Sequence, residues 1–266
     1  MSAATGYYGI GAMLAGGKPV LWERLTWPGI QALHDGGERL VLLPVGAVEQ
    51  HGPHLPLSTD LAIVSAVCGY ASARCGVPVL PAMSYGVSLG HTRHWPGTLS
   101  LTHETLATKI REAHEWVFSA GFDRILLVNS HFGNAATLRV AVDRLRYDYG
   151  THLQIGMVET YALTSAIRDY FLSDGNDVHA NRAETDLMLC IDPSSCAMDQ
   201  VQDDEDRTDG TVFSYVVPRT SCNGVTGKPS LGNADRGREL LTEMGEALAV
   251  IAEQGRVECA PLRWSP

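Results

Sequence analysis

Two short stretches hold most of the side chains in this chain that can do chemistry. Residues 48–60 read VEQHGPHLPLSTD and gather Glu49, His51, His54 and Asp60. Residues 129–134 read NSHFGN and centre on His131. Carboxylates and imidazoles are costly to bury, so a cluster of them directly after an apolar run asks for something that offsets their desolvation. A divalent cation does so. Histidine and carboxylate together suit zinc, manganese or iron, and a carboxylate with two oxygens can bridge two ions. Glu49 and His51 are two apart, which in extended backbone points both side chains the same way, while Asp60 stands at the entry of an apolar segment and can reach back.

Each piece also has an ordinary reading. His-Gly-Pro-His can be a solvated Pro/Gly loop. Glu49 or Asp60 can cap a helix, and Asn129 and Asn134 can be turn residues at a strand end. His91 and His94, in GHTRHWPGT, fall in a loop where exposure is the default, and His103 and His114 fall on or near a helix as expected surface residues. Spacing alone leaves both readings open.

The elements that must position these residues show in the apolar pattern. Residues 40–46, 77–80, 125–128 and 155–158 are short runs rich in Leu, Ile and Val, ended by Gly, Pro or Asn, as strands buried on both faces are. Between them lie helical periodicities. In 102–120, Leu106, Ile110, Ala113, Val117 and Ala120 recur at spacings of three and four, with Gly121 as a left-handed stop. A second helix is expected over 135–147, with Leu138, Ala141, Val142 and Leu145 on one face, and others near 60–74, 183–191 and 235–253. Strand and helix in regular succession predict an α/β fold with a mainly parallel sheet and helices on both faces. In that architecture ligands bind at the carboxyl ends of the strands, where both polar stretches would meet.

Composition narrows the partners. With 266 residues and 45% hydrophobic content the chain can bury a substantial core, and a single domain is favoured. A formal net charge of -10 without a basic cluster opposes nucleic-acid binding. Six cysteines without CxxC pairs read as buried thiols. No apolar run reaches the roughly 18 residues of a membrane span, and the start lacks the pattern of a secretion signal, so the expected location is the cytoplasm. The acidic, turn-rich segment 194–211 is expected as a mobile surface loop, and the glycine-rich arm 6–16 as an interface strap or a disordered end.

GAVEQHGPHLPLSTD at 46–60 resembles the signature of the creatininase family, the creatinine amidohydrolases and their relatives. HWPGTLSL at 94–101, LLVNSHFGN at 126–134, HANRAET at 179–185 and NGVTGKPSLGNADRG at 223–237 match in the expected order. The resemblance spans about residues 22–253 and implies a three-layer α/β/α creatininase-like domain over 22–266 after an N-terminal arm at 1–21. It implies two divalent ions per chain, zinc or manganese with iron as a third possibility, held by Glu49, Asp60 and His131 and by His51, Asp60 and Glu184. It further implies His179 as the catalytic histidine and a homohexamer. His54, Ser88, His91, Phe132, Asn134 and Arg182 are expected to contact substrate or to hold the ligands in place.

The implied reaction is cleavage of a C–N bond in a cyclic amide, lactam or related small amide by water activated between the two ions, with His179 protonating the departing nitrogen. Deformylation of a formamide and trimming of a small peptide are alternatives within the family. A metal-binding scaffold without turnover is the alternative outside it. Five departures bear on the substrate. Ser130 and Phe132 flank His131 where glycines are common in the family, Gly133 stands where creatinine-hydrolysing members have a ligand Glu, and Gly175 stands where they have a Trp. Arg182 replaces a more usual Glu, as a counter-charge for a substrate carboxylate or phosphate or as a partner of a surface acid.

Overall fold

Leu40–Val45 (β2) carries no polar side chain and is buried throughout, as a strand covered on both faces must be. In the computed structural model, which describes residues 6–262, β2 is the centre of a five-stranded sheet. Its companions are Val20–Leu21 (β1), Pro78–Val79 (β3), Arg124–Asn129 (β4) and Gln154–Glu159 (β5). The order is β1-β3-β2-β4-β5, and every pairing is parallel.

Parallel neighbours need crossovers, and three amphipathic or buried helices provide them: Thr59–Cys75 (α3), His103–Ser119 (α4) and Ala135–Tyr149 (α5). Successive side chains of β2 go to opposite faces. Leu40 and Leu42 join the core formed with α3, Arg182–Ile191 (α7) and Ala234–Val257 (α8). Val41, Leu43 and Val45 join the other core, built with α4, α5 and Trp27–Asp35 (α2). The three-layer α/β/α architecture expected from the sequence is the one observed.

Two further helices, Tyr8–Leu14 (α1) and Ser165–Phe171 (α6), and the strand β1 carry no clear periodicity in the sequence. The segment 6–16 packs within its own chain. A Cβ at Gly11 would lie 1.8 Å from Ala66 O, and one at Gly69 would lie 2.4 Å from Tyr8 O, so α1 rests on α3 backbone against backbone. Residues 1–5 of the arm and 263–266 of the expected domain lie outside the described residues.

Three expectations are corrected. Of the six cysteines read as buried thiols only Cys68 is buried, while Cys75, Cys190 and Cys196 are half-buried and Cys222 and Cys259 are exposed. His114 is 2% exposed, enclosed by Phe118 and Tyr149, because it lies one turn after Ile110 on the inward stripe of α4. The acidic segment is pinned rather than mobile, its carboxylates accepting backbone hydrogen bonds. Asp206 accepts from Asn176 N, Asp177 N and Thr208 N, and Asp204 from Cys222 N. The charge that reads as solvating in sequence holds neighbouring loops in place.

Candidate active site

Val45 of β2 stands opposite Asn129 of β4, which stands opposite Glu159 of β5. The two polar stretches therefore leave adjacent strands at the same edge of the sheet. Asn134 joins them: its Nδ2 donates to Gly46 O at 3.0 Å and Asn129 Oδ1 at 3.1 Å, and its Oδ1 accepts from Val87 N at 2.8 Å. Asn129 Nδ2 donates to His131 O and to Glu159 Oε2, both at 2.7 Å. These asparagines are turn residues, and they also set where His131 sits.

Around that junction the structure gathers the five expected ligands. Asp60, in the first turn of α3, faces His51 Nε2 with Oδ1 at 3.6 Å and His131 Nδ1 with Oδ2 at 3.3 Å. Glu49 Oε2 lies 3.4 Å from His131 Nε2. Glu184 enters from the first turn of α7, and its carboxylate groups with His51 and His179 at metal-ligating separations. The imidazoles are oriented from behind. His51 Nδ1 donates to Glu49 O at 3.0 Å and His131 Nε2 to Val87 O at 2.9 Å, which leaves His51 Nε2 and His131 Nδ1 as the nitrogens facing Asp60.

The charges are held far from water. Burial alone would lower the His51 pKa, but Asp60, Glu184 and Glu49 outweigh it and push the group up to about 10. The same contest, with Glu49 and Asp60, takes His131 up to about 9. Burial pushes Glu184 up to about 7, whereas for Asp60 the two imidazoles overcome burial and hold the carboxyl well below the usual range. Both Glu49 oxygens, Asp60 Oδ2 and Glu184 Oε2 are buried without a hydrogen-bond partner of good geometry. Buried oxygens of that kind are costly unless a cation serves them, and the hard and borderline donors present fit zinc, manganese or iron.

His179 precedes Ala180, which has a left-handed φ of 49°, and Asn181, the N-cap of α7. That kink turns the histidine toward the cluster. Its Nε2 lies 2.7 Å from Gln50 O, and its Nδ1 lies 3.5 Å from Glu49 Oε1. Burial first, then His91 and His51, lowers its pKa well below the ordinary value, so the ring is neutral at rest. His91, which its loop alone would leave exposed and which the resemblance places near the substrate or the ligands, comes into the same group. Its ring centroid is 4.4 Å from that of His179, and its Nδ1 is 3.3 Å from Glu49 Oε1 and 2.9 Å from Gln50 Nε2.

A cavity of about 340 Å³ opens over the cluster, walled on its apolar side by Val87, Leu89, Phe132, Val178 and Val217. Ser88 and His91 also line it, and Ser88 Oγ lies 3.2 Å from His131 Nε2. Phe132 stacks on Tyr161 at 4.3 Å. His54 braces the site from behind, its Nε2 3.0 Å from Thr185 Oγ1 on the helix that carries Glu184. Asn134, fully buried in the loop junction, holds the ligand loops rather than lining the cavity. One expected residue is elsewhere: Arg182 places its guanidinium over the Tyr170 ring at 5.7 Å and is not among the cavity walls. Arg182 sits in the first turn of α7, whose inward stripe belongs to Ala183, Glu184 and Leu187.

Sequence reading missed Gln50, hidden between two louder neighbours, and the wall formed by Asn176, Asp177 and Val178. The glycine departures have physical causes. A Cβ at Gly133 would lie 2.1 Å from Val87 O, so this backbone has no room for a glutamate there. A Cβ at Gly175 would lie 3.3 Å from Asp206 Cβ, where the pinned acidic segment takes the space a tryptophan would need.

An α/β chain with buried carboxylates and imidazoles converging under a cavity at the carboxyl edge of its sheet has the features of a hydrolytic enzyme. Residues 23–251 match the Creatininase family, described as "Creatinine amidohydrolase". Creatinine amidohydrolase of Pseudomonas putida is 28% identical over 260 residues, covering 92% of this chain and 99% of its own length. The mycofactocin precursor peptide peptidase of Mycolicibacterium smegmatis is 34% identical over 224 residues, covering 77% and 81%. Among solved structures, a mutant creatininase of Zn-Zn type superposes with a TM-score of 0.78 at 26% identity, covering 91% of this chain and 100% of that one. A manganese creatininase gives 0.78 at 27%, with the same coverage. The chain belongs to the creatininase family and is a hydrolase of that family. No helix among the described residues is long and apolar enough to cross a membrane.

Proposed function

We propose that this chain is a metal-dependent amidohydrolase that cleaves the C–N bond of a small amide, in the first place a cyclic amide or lactam. Glu49, Asp60 and His131 would hold one divalent ion, and His51, Asp60 and Glu184 a second, with zinc or manganese favoured and iron admitted by the same donors. The observation that carries the reading is Asp60, whose two oxygens face His51 and His131 separately, as a shared carboxylate between two ions must. Bound there, the ions supply Lewis acidity and lower the pKa of water toward neutrality.

The chain's own residues do the rest. His179, neutral at rest, takes the proton of the attacking water at Nδ1 and returns it to the departing nitrogen, which leaves poorly as an anion. The apolar wall excludes bulk water, and Ser88 and His91 meet the polar atoms of the substrate. With Gly133 and Gly175 where creatinine-hydrolysing relatives carry side chains, creatinine itself is disfavoured. A specific observation supports a second reading, the trimming of a short peptide. Leu89 and Phe132 at the cavity and Phe213, Tyr215 and Val216 in the segment next to Val217 expose apolar surface that an extended chain would cover.

The test is metal analysis of the purified protein, followed by a hydrolysis screen of lactams, formamides and short peptides with zinc or manganese supplied. About two ions per chain and chelator-sensitive cleavage support the proposal. Tightly held metal with no cleavage of any amide supports the scaffold alternative instead.

A further inference from the structure

We infer that Gln50 is a positioning residue whose side-chain amide locks His91 in the tautomer that turns an Nε2–H donor toward the substrate carbonyl. The amidohydrolase reading supplies what that donor meets; the tautomer itself stands on hydrogen-bond bookkeeping alone.

Gln50 is 4% exposed, and its amide is fixed from both ends. Oε1 accepts from Gly52 N at 3.0 Å, and Nε2 donates to Gly224 O at 3.3 Å. A flipped amide would set two donors face to face at Gly52 and two acceptors at Gly224, so the orientation is unique. Gly224 makes the seat possible, since a Cβ there would lie 2.0 Å from Gln50 Oε1. The atom 2.9 Å from His91 Nδ1 is therefore an N–H donor, Nδ1 must accept, and the ring proton is on Nε2. Glu49 Oε1, 3.3 Å from the same nitrogen, lies off the line of a hydrogen bond with it, so the Gln50 amide is the one hydrogen-bond partner of Nδ1 among the described residues.

His179 has a separate lock in the same residue. At 2.7 Å from Gln50 O, its Nε2 must carry the proton, so the Gln50 amide 3.0 Å away does not donate into it. The two amide hydrogens go to His91 Nδ1 and Gly224 O. Thus the main chain at position 50 sets one histidine, leaving Nδ1 of His179 free to take a proton, and the side chain sets the other. Among the described residues no protein group is hydrogen-bonded to His91 Nε2, and His91 lines the cavity. A neutral donor of fixed direction beside the ligand cluster is what a polarising carbonyl needs.

Neutron diffraction from crystals of the zinc-loaded protein exchanged into D2O reads both tautomers directly, with no substrate required. Deuterium is expected on Nε2 of His91 and on Nε2 of His179. In Gln50→Glu, crystallised at alkaline pH with the same map showing no deuterium on the new carboxylate, the side chain can only accept from His91, so the His91 deuterium is expected to move to Nδ1 while His179, held by the backbone carbonyl, keeps its own. On any amide the wild type cleaves, kcat should fall by about tenfold or more at unchanged metal content. Deuterium on Nδ1 of His91 in the wild type overturns the inference, and that result stands even if Gln50→Glu fails to fold. A folded Gln50→Glu with His91 still protonated at Nε2 overturns it equally. If the wild type cleaves no amide yet shows the expected deuterium positions, the proposed reaction fails and the tautomer lock survives.

Discussion

Asn181 Oδ1 accepts a hydrogen bond from the backbone N of Glu184 at 3.1 Å, so the cap of α7 is bonded to the residue that turns its carboxylate into the site. Its Nδ2 donates to Phe171 O and Asp174 Oδ1, both at 2.9 Å. Asn181→Ala should cost about 1–2 kcal/mol of stability, the range of a lost cap, and should weaken metal retention as Glu184 loosens. Thermal melts with and without zinc check this. A variant that melts early yet binds zinc as tightly as the wild type would separate the cap from the site.

His131 and His179 should fail in different ways. His131→Ala removes an imidazole that faces Asp60 and Glu49, so metal content and turnover should both collapse. His179→Ala should keep its metal and lose rate by about 100-fold or more, the scale of general acid–base catalysis. Metal analysis of the two variants is the check, and metal loss from the second would move His179 into the ligand set.

Metal affinity should rise with pH. With the carboxylates around them pushing His51 up to about 10 and His131 up to about 9, the metal-free site holds protons that a cation must displace. The raised values also stabilise the metal-free fold, in full below the ordinary histidine pKa. That contribution fades as pH climbs through the folded values, so the gap in melting temperature between loaded and chelated protein should widen from about pH 6 to about pH 9. Chelator competition and melting across that range test both, and a flat response would mean that no protons are displaced from the histidines.

His114 should set part of the acid limit of stability. Burial lowers its pKa, and neither ring nitrogen has a hydrogen-bond partner. The folded protein therefore binds fewer protons there than the unfolded chain. Stability is complete above the ordinary histidine value and is lost as pH falls below it. His114→Leu should remove that loss and gain on the order of 1 kcal/mol at mildly acidic pH, with little change in alkali. Urea midpoints for the two proteins at both pH values would show it.

Ala180, at φ 49°, occupies the left-handed region that glycine enters without a Cβ penalty. Ala180→Gly should therefore raise stability by about 1 kcal/mol, the left-handed strain outweighing the entropy glycine adds to the unfolded chain. Calorimetry checks this, and a lower melting temperature for the variant would refute it.

Four of the five strands and the main crossover helices are legible in the sequence because each rests on a local pattern. Leu40 to Val45 is an uninterrupted apolar run, and the cluster after it, ambiguous by spacing alone, is picked out by its resemblance to the family signature. What escapes depends on contacts distant in the chain. Helix α1 is specified by Gly11 lying against Ala66, Gln50 takes its meaning from Gly224, and the wall at Asn176 and Asp177 is held by Asp206. Arg182 reads as a charge beside the pocket until the helix phase turns it onto Tyr170.

The in-register pairing of Val45 with Asn129 ties the separation of the Glu49 and His131 loops to the fixed spacing of neighbouring strands. Neither anchor can slide without tearing the ladder beneath it. Leu89 and Val217 stand on connections that bear no such restraint, so new substrates can be sought by grafting or randomising that rim while the reactive floor is inherited unaltered.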